Sequence, residues 1–189
     1  MDSEAIINAL TGLVPDASVE PAAAADGMPA IYVAREHLVD VCRALRDTPS
    51  LRFAFAADMT AADYMPREPR FEVVLHLASL GVAGFGDTPK RLRVKVRVPG
   101  NDPRVPTLSG VWPAMNWAER EVWDLFGIEF DEHPDLRRLL MPEDWEGFPL
   151  RKDYPVQIKM TPKIYEPLQL TPEEFAANLQ ADRDRARRD

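Results

Sequence analysis

Two glutamates separated by one residue, Glu119 and Glu121, form the pair of side chains most suggestive of acid–base chemistry. Hydrolases that use two carboxylates direct both of them at one substrate. The surrounding residues predict a helix, which turns by roughly 100° per residue, so side chains two positions apart point to different sides. We therefore do not predict a hydrolytic site here. Glu119 also has a structural role available, as one partner of a helix N-terminal capping box.

His133 has a composition around it that resembles a site for a hard metal ion, because three acidic residues lie within two positions of it. Catalytic zinc, however, usually takes three protein ligands, with at least one more histidine or cysteine among them. His37 and His76 are the other histidines, and neither has a ligand spacing to His133. We therefore predict that His133 is structural and holds a turn before Pro134.

The sequence does not predict nucleophilic catalysis or phosphate binding either. Ser79 and Ser109 do not lie in the strand-turn-helix pattern of a nucleophile elbow. The segment Gly81–Asp87 is rich in glycine, but a phosphate-binding loop requires a helix to follow it. Here a strand is predicted to follow. We interpret this segment as a hairpin loop.

Composition excludes several further classes of protein. The net charge of −8 is the wrong sign for general binding to nucleic acid. The single cysteine, Cys42, excludes disulfides within the chain and clusters ligated by its thiolates, and its helical spacing from apolar neighbours predicts a core position. The acidic start of the chain predicts no signal peptide, and the most apolar window, residues 73–85, is too short to cross a bilayer.

Negative charge is concentrated in one part of the chain. Residues 119–154 carry 11 acidic and 5 basic side chains, a net charge of −6. A partner with a basic surface would complement such a segment. An acidic face that only keeps the protein soluble is an equally good interpretation of the charge alone.

The elements that must position these residues follow from hydrophobic periodicity. Residues 35–46 have apolar side chains at helical spacing, and Arg91–Val98 alternates so that four apolar side chains share one face and four cations the other. The cationic face is expected to be solvated or to meet an acidic neighbour. The predicted strands are Ala30–Val33, Leu51–Ala56, Phe71–Leu80 and Arg91–Val98.

A helix from Asn116 to Phe126 carries the first part of the acidic segment. Asn116 is predicted to cap it with Glu119 as the box partner, and Gly127 is predicted to end it. Arg120 and Asp124 are expected to pair across one turn of its outer side. Its predicted buried stripe consists of Ala118, Val122, Leu125 and Phe126.

The C-terminal part of the chain is irregular by composition. The segment Trp145–Pro155 combines large aromatic residues with cations and turn residues, which fits either packed irregular structure or the centre of a binding surface. Four prolines between positions 155 and 172 predict an extended segment. A polar helix is predicted from Pro172 onward, with Thr171 as its cap.

At residues 119–140 the pattern Glu-Arg-Glu-x-x-Asp-Leu-Phe-x6-His-x3-Arg-x-Leu-Leu resembles the signature of the 30-kilodalton subunit family of respiratory complex I, the NADH:quinone oxidoreductase. The likeness extends upstream through Val111–Pro113 and Trp117. It extends downstream through Pro142–Gly147 and Pro149–Pro155, so it covers about forty-five contiguous residues. Phe148 departs from the family pattern, since many relatives have histidine there, and no proton-handling role is carried to it.

The resemblance implies an α+β fold: a two-layer domain with a mixed sheet of about five strands and an extended C-terminal tail. It implies an α/β domain over 1–130, an acidic and Trp-rich signature segment over 131–155, and a tail over 156–189 that wraps a neighbouring subunit. It further implies a non-catalytic structural subunit in the hydrophilic arm of a bacterial proton-pumping translocase. Such an enzyme passes electrons from NADH through FMN and iron–sulfur clusters to a quinone, and those cofactors would lie on other subunits.

The partners implied are the quinone-site subunit, which resembles hydrogenase large subunits and helps to form the quinone pocket, and other subunits of the hydrophilic arm. The chain would lie peripherally at the cytoplasmic face of the plasma membrane and would be associated with it only through the complex. We expect Arg137 and Arg138 to be exposed charges that matter more for assembly than for folding. The predicted signature and interface residues are Glu119, Arg120, Glu121, Asp124, Phe126, His133, Arg137, Arg138, Trp145, Arg151, Lys152, Asp153 and Tyr154.

Two alternatives stay open. One is a homologous subunit of a membrane-bound hydrogenase or of another quinone- or ferredoxin-linked dehydrogenase complex. The other is a stand-alone enzyme that uses the acidic residues near His133.

Overall fold

A computed structural model describes residues 2–81, 88–155 and 171–185 of the chain, with side chains up to residue 180. The chain divides into two compact units, Met1–Pro155 and Val156–Asp189. Residues 131–155, which we predicted as a segment distinct from the α/β domain, lie within the first unit.

A mixed five-stranded sheet forms the centre of the first unit, with its strands in the order β1-β2-β5-β4-β3. Only β2 and β5 run parallel; the other neighbouring pairs are antiparallel. The predicted α+β class with a mixed sheet of about five strands is confirmed. The strands are β1 (Val19–Pro21), β2 (Ala30–Val33), β3 (Phe55–Asp63), β4 (Phe71–Ser79) and β5 (Lys90–Val98).

The predicted alternation of β5 is confirmed, because Leu92, Val94, Val96 and Val98 are all buried in the core. The core also takes residues from α1 (Ser3–Leu13) and from α2 (Leu38–Asp47), which follows a 3-10 turn at Arg35–His37. Cys42 on α2 is buried, as predicted, and burial raises the pKa of its thiol. Cations on the opposite face of β5 meet acidic neighbours, in the pairs Arg93–Asp26, Lys95–Glu72 and Arg97–Glu20.

One predicted strand, Leu51–Ala56, is wrong. The strand begins at Phe55 and continues to Asp63, whereas the preceding residues form a loop. Leu51 and Phe53 are fully buried, and the Phe53 N–H donates to the Leu45 carbonyl at the end of α2. The alternation in the sequence therefore reflects two loop side chains that fill the core, since burial and strand pairing produce the same apolar pattern.

The predicted hairpin between β4 and β5 agrees with the antiparallel pairing of those strands. Most of its loop, residues 82–87, lies outside the described residues.

A smaller parallel pair, β6 (Arg104–Pro106) and β7 (Glu129–Asp131), is connected by α3 (Met115–Phe126). Helix α3 packs against β3, the edge strand of the large sheet. It thereby brings the charged residues of the signature next to the loop that follows β7.

The second unit contains α4 (Pro172–Arg185). Thr171 caps it as predicted: its hydroxyl accepts from the Glu174 N–H, while the Glu174 carboxylate accepts from the Thr171 N–H. The extended conformation predicted for the tail falls on residues 156–170, which lie outside the described residues.

Candidate functional site

Helix α3 carries four charged side chains that the sequence predicted as part of a binding surface, and it buries three of them. The side chains of Glu119 and Asp124 have no solvent exposure, and Arg120 is only 7% exposed. The residues after β7 cover this side of the helix and bind Arg120 and Asp124, whereas Glu119 binds residues that precede the helix. Much of the signature therefore holds the chain together internally, which the sequence pattern alone did not indicate.

Asp124 anchors the covering loop. Its Oδ2 accepts hydrogen bonds from the backbone N–H groups of Leu139, Leu140 and Met141, at 3.0, 2.7 and 2.8 Å. Its Oδ1 lies 2.7 Å from the Arg138 guanidinium. Burial alone would raise the pKa of this carboxyl, but the N–H groups and Arg138 together more than offset it, so its pKa lies below the usual range.

The predicted pair of Arg120 with Asp124 is replaced by bonds to the covering loop. The Arg120 guanidinium donates to the carbonyls of Arg137 and Arg138, at 3.1 and 2.9 Å. Both side chains point to the same loop, where Arg120 satisfies carbonyls and Asp124 satisfies N–H groups. An i, i+4 pair within the helix would have left those loop groups without partners.

Arg138 is not the exposed charge that we expected. Its side chain is 15% exposed, and besides Asp124 it binds the carbonyls of Trp145 and Gly147, at 2.6 and 3.2 Å. Arg137 does match the expectation that it is exposed, since its side chain is 69% exposed and pairs with Asp135, two residues away in sequence. Two adjacent arginines thus have opposite environments.

The predicted capping box at the start of α3 is wrong. The helix begins at Met115 after Ala114, which makes no side-chain cap. Glu119 points inward instead, and its carboxylate accepts from the Leu108 N–H at 2.6 Å and from the Thr107 hydroxyl. Burial raises the pKa of Glu119 to about 7 in spite of these two bonds.

His133 has the structural role that the sequence predicts. Its Nδ1 accepts a hydrogen bond from the Asp135 N–H at 3.0 Å, which holds the turn around Pro134. The ring proton therefore lies on Nε2, which donates to the Asn116 carbonyl at 3.1 Å. The Glu119 carboxylate is 3.8 Å from Nε2, and both side chains are fully buried. His133 thus joins the loop after β7 to the first turn of α3.

Arg151 binds the opposite end of α3. Its guanidinium donates to the carbonyls of Phe126 and Gly127, which are among the acceptors left free at a helix C-terminus. Gly127 has a φ of +68°, and a Cβ added there would collide with the ring of Phe148. Glycine is therefore required both by the backbone conformation and by the close packing of that ring.

Asp153 and the backbone of Lys152 fix the next residues to the large sheet. Arg70 donates to both oxygens of Asp153, at 2.8 and 3.0 Å, and also to both oxygens of the buried Asp63. The Lys152 N–H donates to Asp63 at 2.8 Å. Burial opposes ionisation of Asp63, but Arg70 and the backbone N–H groups outweigh it and lower its pKa to about 2. Sequence reasoning missed Asp63 and Arg70, because each lies beside a strand end and no local pattern links either of them to Asp153.

Trp145 and Tyr154 stack on each other, with ring centroids 6.5 Å apart, and both are half-buried. Of the two interpretations left open for Trp145–Pro155, packed irregular structure agrees with these intramolecular contacts.

The predicted site residues differ in exposure. Glu121, Arg137, Lys152 and Asp153 are exposed, although Arg137 pairs with Asp135 and Asp153 with Arg70. The following make intramolecular contacts through their side chains: Glu119, Arg120, Asp124, Phe126, His133, Arg138, Trp145, Arg151, Asp153 and Tyr154.

Within residues 2–81, 88–155 and 171–185, no group of three or more His, Cys, Asp or Glu side chains is arranged to hold a metal ion. In the same ranges no helix has the length and apolar character needed to cross a membrane.

Comparison with known proteins gives this geometry a context. The family model described as the 30-kDa subunit of respiratory-chain NADH dehydrogenase matches residues 31–159. A protein from Roseiflexus sp. (strain RS-1), named as a subunit of NADH-quinone oxidoreductase, is 47% identical over 82% of this chain and 86% of its own length. One of the same name from Geobacter sulfurreducens is 50% identical over 67% of this chain and 74% of its own.

Two solved structures are similar as well. A trypsin-resistant fragment of Nqo5 is 34% identical, with a TM-score of 0.52 over 72% of this chain and 100% of the fragment. A chain of the membrane-bound sulfane sulfur reductase, an archaeal respiratory membrane complex, is 25% identical, with a TM-score of 0.65 over 81% of this chain and 85% of the other.

Proposed function

This chain belongs to the 30-kDa subunit family of respiratory-chain NADH dehydrogenases, and from that membership we propose that it is a non-catalytic structural subunit of a bacterial proton-pumping NADH:quinone oxidoreductase. The single observation that carries the proposal is the match over residues 31–159, which includes strands β3, β4 and β5, most of β2 and the signature. The complex would move electrons from NADH through FMN and iron–sulfur clusters to a quinone and couple this to proton translocation.

The chain itself would hold none of these cofactors. Its one thiol, Cys42, is buried in the core, and an iron–sulfur cluster needs several thiolates at one place. The buried acids of α3 bind the chain's own N–H groups and cations. These side chains support a structural role, because their hydrogen-bonding capacity is used within the fold.

In the proposed arrangement the chain lies in the hydrophilic arm, at the cytoplasmic face of the plasma membrane. It would contact the quinone-site subunit of the complex and would reach the membrane only through the complex. The family relatives named as subunits of a quinone oxidoreductase support this arrangement.

Purification of the tagged full-length chain from its own membranes tests the proposal. We expect NADH-oxidising activity and the absorbance of flavin and iron–sulfur clusters in the purified complex. The same chain expressed alone should be colourless and without NADH:quinone activity. Turnover by the isolated chain, or its recovery from membranes without other dehydrogenase subunits, would contradict the proposal.

A homologous subunit of another membrane-bound electron-transfer complex is the second candidate. The likeness to a chain of the membrane-bound sulfane sulfur reductase favours it, since that complex is also respiratory and membrane-bound. The co-purified subunits separate the candidates. An NADH-binding flavoprotein supports the first, whereas a nickel hydrogenase subunit or a different electron-input subunit supports the second.

A further inference from the structure

Helix α3 has one side that is partly open to solvent, although Leu125 on that side also packs against the core. Trp117, Glu121 and Leu125 follow one another at intervals of four residues, so they lie along one side of the helix. Trp117 is 60% exposed, Glu121 is exposed and Leu125 is half-buried. The Leu150 N–H donates to the Leu125 carbonyl at 3.0 Å, and Leu150, 50% exposed, continues the row beyond the helix end. We call these four residues the outer stripe.

The exposed charges of residues 119–155 are unbalanced because three of the four arginines there are used inside the fold. Arg120, Arg138 and Arg151 bind backbone carbonyls or Asp124, and Arg137 pairs with Asp135. Among the described residues between 119 and 155, Lys152 is the one cation without such a partner. Four exposed carboxylates there have no cationic partner: Glu121, Glu132, Glu143 and Glu146.

We infer that the outer stripe is the surface on which a neighbouring subunit of the complex docks, through an apolar side chain set between Trp117 and Leu125 and a lysine or arginine that pairs with Glu121. An exposed tryptophan next to leucines provides the large apolar contact typical of binding hot spots. The surplus of carboxylates selects a cationic partner. The inference rests on the proposed function and adds to it the place and the chemistry of the contact.

Two other occupants fit the stripe less well. A second copy of the chain, docked symmetrically, would bring Glu121 of each copy close to the same charge on the other. The chain's own C-terminal segment, residues 155–189, carries six acidic and six basic side chains, so it has no cationic surplus to offer.

The experiment compares variants of the tagged full-length chain in its native membranes. Glu121→Lys and Trp117→Ala should each lower recovery of the other dehydrogenase subunits by about tenfold or more, because one introduces repulsion and the other removes the anchor. Asp16→Lys and Leu13→Ala are the matched controls. Both change exposed residues near β1, at the opposite edge of the sheet, and recovery should stay within about twofold of wild type.

Two further measurements make the result specific. The purified Glu121→Lys chain should melt at the wild-type temperature, since Glu121 has no partner among the described residues. A photo-cross-linking amino acid in place of Leu150 should label a peptide of another subunit that contains lysine or arginine beside apolar residues.

Wild-type recovery with both stripe variants, or a cross-link to a second copy or to residues 155–189, would overturn this inference alone. If the wild-type chain recovered no dehydrogenase subunits, the proposed function would fail first.

Discussion

The two buried carboxylates of α3 have opposite acid–base properties, although they lie five residues apart in one helix. Glu119 is near the N-terminus, where the helix dipole favours a negative charge, yet burial raises its pKa to about 7. Asp124 is in the C-terminal half, where the dipole disfavours a negative charge, yet its pKa is lowered. The dipole is therefore the weaker influence, and the hydrogen-bond donors around each carboxylate decide its charge.

The number of those donors explains the difference. Asp124 receives three N–H groups and a guanidinium, whereas Glu119 receives one N–H group and one hydroxyl. A helix dipole contributes roughly 0.3–1 kcal/mol to a nearby charge, which is less than the burial of an incompletely bonded carboxylate costs. The Asp124 end of α3 therefore fastens the covering loop by charge, whereas Glu119 binds the segment after β6, at Thr107 and Leu108, with a group that can lose its charge near neutral pH.

Replacing Asp124 with Asn should have the largest effect. The variant leaves Arg138 without its counter-charge, and with its amide oxygen on the three N–H groups it sets an NH2 group against the Arg138 guanidinium, so the free energy of unfolding should fall by about 3–5 kcal/mol. Urea unfolding of the full-length chain measures it. The matched control is Glu121→Gln on the same helix, which should change stability by less than about 0.5 kcal/mol. Equal losses in the two variants would mean that the Asp124 contacts do not hold the loop.

Replacing Arg138 with Met should lower the free energy of unfolding by about 3 kcal/mol, because Asp124 would remain buried without a cation. Its neighbour Arg137, changed in the same way, should stay within about 0.5 kcal/mol of wild type, since it is exposed. Thermal and urea unfolding of the two variants separate these environments. Similar stabilities would show that the difference in burial between the adjacent arginines does not affect the free energy of unfolding.

The contribution of Glu119 to stability should fall as the pH rises, opposite in sign to that of a carboxylate with a lowered pKa such as Asp124. The pKa of Glu119 rises from an ordinary 4.5 to about 7 on folding, so protonated Glu119 stabilises the fold below pH 4.5 and this contribution is lost as the pH rises to about 7. The loss is on the order of 2–3 kcal/mol. Glu119→Gln should remove this pH dependence, because Gln cannot ionise.

Unfolding free energies of wild type and Glu119→Gln, measured at several pH values between about 4.5 and 8, check this prediction. The stability of the wild type relative to the variant should decline across that interval. A constant difference would mean that Glu119 does not change its protonation there, and the contrast with Asp124 would disappear.

Periodicity predicted the parts of the fold in which one face is buried. The alternation of β5 and the helical spacing of α2 are confirmed because a single sheet face and a single helix face enter the core. It failed at Leu51 and Phe53, where loop side chains are buried without strand pairing. For α3 it predicted the helix and its buried apolar side but not its buried charges, because a helix covered on two sides by its own chain buries polar as well as apolar residues.

The same limit applied to individual site residues. The turn at His133 and the glycine end of α3 depend on neighbours close in sequence, and local pattern predicted both. Arg70 pairs with Asp153, which lies far from it in the sequence, and with Asp63. No local sequence pattern could have predicted this cluster of three charges.

By itself, the sequence determined the fold class, the family and the concentration of charge in residues 119–154, because these follow from composition, periodicity and a long local motif. Tertiary structure alone decided which of those charged side chains are buried and which are exposed to solvent. The reason is physical: a charged side chain can be buried only where distant segments supply its hydrogen-bond partners, and Asp124, Arg138 and Arg151 obtain theirs from residues that the fold brings together. Glu121 has no such partner among the described residues, and its side chain remains exposed.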